Sequence, residues 1–338
     1  MHTKIDDVFS NIIPKRSMNP DKEMVIKIFD SEFLPKFTTL LPFNKLTEPV
    51  YYTMHIRSSK GLLCLFSYYL QKEFNGDLNT ALLSSLSIEA LSAAKLILDD
   101  IFDKDEIRSG VESTWKRYGL RKVLLSIELS KNIIFDKLYE VDKKIYNELK
   151  YAWENGLKGY FFEEEMYKKK NVKLTDWLKI IPFFAPFGFC AVKLLKINST
   201  IPEKLYKNIW KYNSYLTTAW VFDDPLEVFS IEKSKRIYSD IRNGYYTLPI
   251  VLLLDKISEE EKIFFEKTFG KDEHVEEIVE LLKRKGIEKE CFNIVRDYHK
   301  KAMEELKAFW NPNYDKKLRY IIRAYSYLRA TKLGCDFI

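Results

Sequence analysis

Apolar residues recur every three to four positions along most of this chain, the spacing that gathers them on one face of an α-helix. The pattern holds from Leu82 to Tyr118, Ile134 to Met166, Leu205 to Phe222, Leu248 to Phe269 and Val275 to Trp310, with a shorter, basic-sided stretch from Leu318 to Leu333. Period-two alternation is rare, so strands are not expected. The interruptions are short: NGDLN near Asn75, NST at Asn198, FGKDE near Gly270 and NPN at Asn311. Long helices joined by short turns predict an all-α fold, a single antiparallel bundle over residues 1–338. The most apolar run, Ile180 to Val192, carries two prolines and is too short to span a bilayer, so a packed core helix is expected and no membrane span.

Composition narrows the function. A chain of 338 residues, 46% hydrophobic, has the apolar material for a large core. Its 55 basic and 49 acidic side chains nearly balance, and the densest basic run is only Lys168 to Lys170. No nucleic-acid partner is expected from so dispersed a charge. Cys64, Cys190, Cys291 and Cys335 show no zinc or redox spacing, and neither do the four histidines. Charges in MHTKIDDVFS stand where a secretory signal needs an apolar stretch. Reduced cysteines and a cytoplasmic location are therefore expected. GxGxxG, P-loop and GxSxG motifs are absent.

Two acidic clusters carry the candidate chemistry. In LILDDIFDKDEIRSG, Leu96 to Gly110, a helix would place Asp99 and Asp103 one turn apart on one face, flanked by Asp100. Carboxylates so spaced repel unless a cation sits between them, and hard oxygens beside an apolar segment suit Mg²⁺ shared with substrate phosphates, with Mn²⁺ as the alternative ion. Taken alone, such a cluster describes a solvated acidic helix end equally well. A second cluster, WVFDDPLEV, strengthens the ligand reading: Asp223 and Glu227 are again one turn apart beside Asp224. Pro225 either kinks that helix and aims Glu227 or ends it. Lys95 lies one turn before Asp99, where it pairs with that acid or a substrate diphosphate, or else reaches solvent. Phe183, Phe184, Phe187, Trp220 and Phe222 are candidates for a cavity lining that steadies a carbocation by cation–π attraction, with core packing as the plainer alternative.

From Arg57 to Pro249 the chain resembles the trans-isoprenyl diphosphate synthases, or polyprenyl synthetases. The resemblance is most specific in DDIFDKDEIRSG with TWKRYG, and in FDDPLEV with SDIRNGYYTLP. It implies an all-α bundle around a deep apolar cavity, a homodimer, and Mg²⁺ with an allylic prenyl diphosphate as substrate. It also implies metal ligation by Asp99, Asp100, Asp103, Asp223, Asp224 and Glu227. Arg108, Lys235 and Lys60 match the family's diphosphate-binding cations.

Two of the departures fall where the family holds isopentenyl diphosphate. Leu63 stands at one arginine position and Ser109 at another. Phe184 and Ala185 replace a Lys-Thr pair, and Tyr245 replaces a loop lysine. Charged hydrogen bonds are worth roughly 1.5–3 kcal/mol each, so two lost arginines cost the co-substrate about 3–6 kcal/mol. The first expectation is therefore a class I terpene synthase on the prenyl-synthase scaffold, turning one allylic diphosphate into a hydrocarbon or alcohol. The alternative is a chain-elongating synthase or prenyltransferase using isopentenyl diphosphate or another acceptor. A non-catalytic partner subunit is the third class, disfavoured by the intact acids of both clusters.

Overall fold

The computed structural model describes residues 8, 9, 11, 12, 14, 20–167, 172–223, 228, 229 and 238–326. These are almost wholly helical. The only strands among them, Ile107–Arg108 and Val111–Glu112, form one small antiparallel hairpin. The chain divides into two compact units, one built on residues 1–154, 187–207 and 309–328, the other on 155–186, 208–308 and 329–338.

The first unit is organised by the helix Leu78–Phe102. Asp77 starts it by accepting a hydrogen bond from the Thr80 amide at 2.8 Å, satisfying a donor that no preceding turn can serve. The helix is apolar and long enough to cross a membrane, yet 67% of its most apolar window is buried in the protein, as suits a core helix. Glu48–Ile56, Leu62–Glu73 and Leu120–Val141 pack around it. Helix Pro20–Ile28 continues through a π-helical turn, Phe29–Phe33, before Leu34–Leu40. Phe29 is fully buried against Gly61, which takes a left-handed φ of +71°. A forked ion pair from Arg323 to Asp21, at 2.9 and 2.7 Å, ties Lys316–Ser326 to the N-terminal helix.

Several helices are shorter than the apolar period suggests. The run from Leu82 to Tyr118 stops being helical at Phe102, and Lys104 turns the chain at φ +57°. The run from Ile134 to Met166 is two helices, Leu120–Val141 and Lys143–Tyr167. Asp142 separates them in an extended conformation and accepts from the Lys144 amide at 2.7 Å, an aspartate acting as a helix start. The stretch beyond Ser326 lies outside the described residues.

Glu203–Asp223 matches its expected span, Leu205 to Phe222. The run from Leu248 to Phe269 divides into Leu248–Leu254 and Glu259–Thr268, the latter opened by a Ser258–Glu261 capping box. Gly286, at φ +67°, divides Val275–Arg284 from Ile287–Phe309. The expected core helix from Ile180 to Val192 is likewise broken. Leu174–Phe184 ends at Ala185, because the residue before a proline is pushed out of helical conformation, and Pro186 opens a new helix. The three described cysteines, Cys64, Cys190 and Cys291, are buried and unbridged.

A Cβ at position 61 would lie 2.3 Å from the Phe29 ring on a backbone that already disfavours side chains. Left-handed backbone costs roughly 1–2 kcal/mol and overpacking about 1–3 kcal/mol more. Gly61→Ala is expected to lose about 2–5 kcal/mol in urea unfolding. A loss below about 1 kcal/mol would mean that the Phe29–Gly61 contact is not tight.

Candidate active site

Ile97 and Leu98 are buried at the C-terminal end of Leu78–Phe102, which fixes how the acids after them are presented. Asp99 and Asp103, one turn apart, are half-buried, whereas Asp100 between them has no exposed surface. The helix therefore offers two carboxylates on an accessible face and turns the third inward.

Asp100 is held by Arg108, whose Nε donates to Oδ1 at 2.6 Å while Nη2 contacts the same oxygen. Arg108 comes from the hairpin, and the hairpin is anchored on every side. The Ser113 amide donates to the Glu106 carbonyl at 2.8 Å. The Trp115 indole donates to the Asp105 carbonyl at 2.7 Å, and the Tyr52 hydroxyl donates to the Glu112 carbonyl at 2.7 Å. The turn itself is Ser109 and Gly110, at φ +52° and +78°. This doubly left-handed geometry matches the twist of two short antiparallel strands.

The electrostatics follow from burial. Desolvation pushes the Asp100 carboxyl up to about 6, with Arg108 pulling the other way and Asp99 and Asp105 adding to the rise. For Arg108, burial opposes the charge, but Asp100, Asp99 and Asp105 together raise the value above its ordinary one and keep the guanidinium charged. Asp100 Oδ2 is buried without a hydrogen-bond partner among the described residues. Lys95, 8% exposed, places Nζ 3.0 Å from Asp99 Oδ1, the pairing anticipated from their spacing.

The donor set bears on the implied metal. Among the described residues no three His, Cys, Asp or Glu side chains converge to hold an ion by themselves. Asp99 and Asp103 instead offer hard oxygens on one face, and Asp100 adds an orphaned buried oxygen behind them. That set fits Mg²⁺ in its usual mode, bound by one or two carboxylates and completed by substrate phosphates.

Other expected site residues are placed differently. Lys60 is buried, its Nζ 2.6 Å from Asp30 Oδ1 on the π-helical turn, so its charge is met by that acid. Leu63 is half-buried. Phe187 is buried, and Phe222 is buried edge-on to Tyr298. Phe183 packs on Phe162, Phe184 stacks on Trp177, and Trp220 is half-buried. Glu203–Asp223 ends on the first acid of the second motif. The Asp223 side chain, Asp224, Glu227 and Lys235 lie outside what the structure describes.

Sequence reasoning missed one buried carboxylate. Glu89, with no exposed surface, accepts from Arg57 at 3.4 Å and from the Gly61 amide at 3.0 Å. A lone acid inside the apolar run SLSIEALSAA was the signal for it.

The sequence pattern of the polyprenyl synthetase family matches residues 44–284. A geranylgeranyl diphosphate synthase of Saccharolobus solfataricus is 24% identical over 264 residues, 73% of this chain and 79% of its own length. A short chain isoprenyl diphosphate synthase of Methanothermobacter thermautotrophicus is 26% identical over 248 residues, 69% of this chain and 75% of its own. Among solved structures, geranylgeranyl pyrophosphate synthetase from Pyrococcus horikoshii superposes with a TM-score of 0.72 at 22% identity, over 99% of this chain and 100% of that one. A geranylgeranyl pyrophosphate synthase from Lactobacillus brevis gives 0.73 at 17% identity, over 88% and 97%. These likenesses carry the all-α fold expected from the sequence.

The Asp100 carboxyl predicts a pH signature. Its folded value of about 6 lies above the ordinary 3.8, so the folded state holds the proton more tightly than the unfolded chain does. Its contribution to stability is thus complete below the ordinary value and declines as pH rises through the folded one. Relative to Asp100→Asn, the wild type should lose about 2 kcal/mol of unfolding free energy between roughly pH 4 and pH 6. Parallel urea titrations of the two proteins measure this, and a difference independent of pH would contradict the assignment.

Proposed function

Because the chain belongs to the polyprenyl synthetase family, we propose that it is an isoprenoid-diphosphate-using enzyme that acts as a chain-elongating prenyltransferase. In this reading it ionises an allylic prenyl diphosphate and joins the resulting cation to the double bond of isopentenyl diphosphate, which then loses a C2 proton to give the longer allylic diphosphate. The observation that supports it is the extent of the match, which runs through both acidic motifs to relatives whose names give geranylgeranyl or short-chain isoprenyl diphosphate synthesis. This reverses the order of the two readings drawn from the sequence. Substitutions at Leu63 and Ser109 weaken one pocket, whereas likeness to elongating enzymes extends over most of the chain.

The residues divide the work. Asp99 and Asp103 would hold Mg²⁺ from the first motif, with Asp223, Asp224 and Glu227 completing the ligand set by resemblance. Mg²⁺ bound there neutralises the leaving diphosphate. Asp100 acts by aiming Arg108, so it enters the ligand set only where its orphaned oxygen is reached. Arg108, Lys95 and Lys235 hold diphosphate oxygens. The C–O bond of the allylic substrate then breaks, and the electron pair leaves with the diphosphate. By resemblance, Phe183, Phe184 and Trp220 would line the cavity that receives the cation, each for about 0.5–2 kcal/mol. Exposed Leu120, Leu124 and Leu125 on Leu120–Val141 are consistent with a homodimer, and the cytoplasm is the proposed compartment.

One observation favours the single-substrate terpene synthase as a second reading. Lys60 is closed on Asp30, and neither Leu63 nor Ser109 carries the forked cation that a second diphosphate would use.

Incubation with single allylic diphosphates, with and without isopentenyl diphosphate, separates the two. Longer prenyl diphosphates that require isopentenyl diphosphate are expected. Hydrocarbons or alcohols formed equally well without it would replace the main reading with the second. Asp99→Ala and Asp103→Ala should each lower kcat roughly 10²–10³-fold, and EDTA should abolish turnover. Sedimentation should give a dimer.

A further inference from the structure

We propose that Lys95 is a resident counter-ion of the first acidic motif, holding Asp99 so that the motif binds a divalent cation weakly until a diphosphate arrives. This rests on the reading that Asp99 and Asp103 hold the metal.

Lys95 is 8% exposed, one turn below Asp99 on the same helix, with its ammonium 3.0 Å from Asp99 Oδ1. Its neighbours along the helix, Leu91, Ala94 and Leu98, are buried and apolar. An ammonium so placed needs an anion, because burying it unpaired is costly. Asp99 is that anion, and the ammonium takes a lone-pair direction that a metal ion would otherwise use. A divalent cation on the same carboxylate would meet like charge at close range. Arg108 likewise sits on Asp100, so Asp99 and Asp100 each meet a cation of this chain. A diphosphate changes the balance. Its oxygens offer Lys95 a second anion, freeing Asp99 Oδ1, so diphosphate and metal should each strengthen binding of the other.

The probe is Mn²⁺, whose free concentration is read by electron paramagnetic resonance, titrated into the whole chain with and without inorganic pyrophosphate. Lys95→Met keeps the length of the side chain and removes its charge. It should bind Mn²⁺ about ten-fold more tightly without pyrophosphate, and the strengthening by pyrophosphate should shrink by the same factor. Lys95→Arg should behave as wild type. Asp103→Asn should weaken Mn²⁺ binding in every background. Urea unfolding of each variant checks folding, and Lys95→Gln stands in if the methionine protein does not fold. If Lys95→Met binds Mn²⁺ no tighter while Asp103→Asn still weakens it, the motif holds metal and the counter-ion proposal is overturned. If neither change alters Mn²⁺ binding, the metal reading itself fails and takes this proposal with it.

Discussion

A carboxylate without exposed surface, Asp100, sits at the end of the core helix and is tenable there because a single guanidinium reaches it. Leaving such a charge unpaired typically costs about 3–5 kcal/mol, a large share of any domain's stability. That requirement propagates outward. Arg108 must arrive at one place, so its hairpin must be pinned, and Tyr52, Trp115 and the Glu106 carbonyl do the pinning. Once Asp100 is fixed inward, helical geometry leaves Asp99 and Asp103 no choice but the accessible face. Glu89 repeats the arrangement deeper in the same helix, with Arg57 and the Gly61 amide as partners. One charge pair thus sets the aim of the residues assigned to metal.

Much of this was legible in the sequence, for reasons that can be stated. Spacing alone put Asp99 and Asp103 on one face and brought Lys95 against Asp99, because four residues is one helical turn whatever the surroundings. The helix ends were harder to read. Apolar periodicity runs straight through Asp142, Ser258 and Gly286, and the breaks are set by single capping or left-handed residues that the period does not register. The Lys60–Asp30 pair was out of reach for a different cause. Lys60 lies in the turn between two helices and Asp30 on the π-helical turn, whose position no apolar pattern announces. The inward turn of Asp100 likewise needed the hairpin's position, which is a tertiary fact.

The chain combines a fold shared with elongating synthases and a first unit in which cations are already paired. Arg57, Lys60, Lys95 and Arg108 each meet a carboxylate of the chain itself. An anion that binds any of these four competes with an acid already in place. Affinity for a diphosphate is then a difference between two ion pairings, much smaller than the strength of either. Enzymes of common scaffold can differ in substrate through that difference alone, without a change in backbone.

The Ser109–Gly110 turn has a bearing on how such a chain changes over generations. Position 109 is left-handed, a conformation whose steric cost falls on the Cβ and is heaviest for β-branched residues, which arginine is not. Serine already meets that steric cost, and the anchored hairpin carries it. Exchanging this serine for a guanidinium side chain would therefore ask nothing new of the backbone. A second arginine at position 109 is one side-chain change away, and the loop does not stand against it.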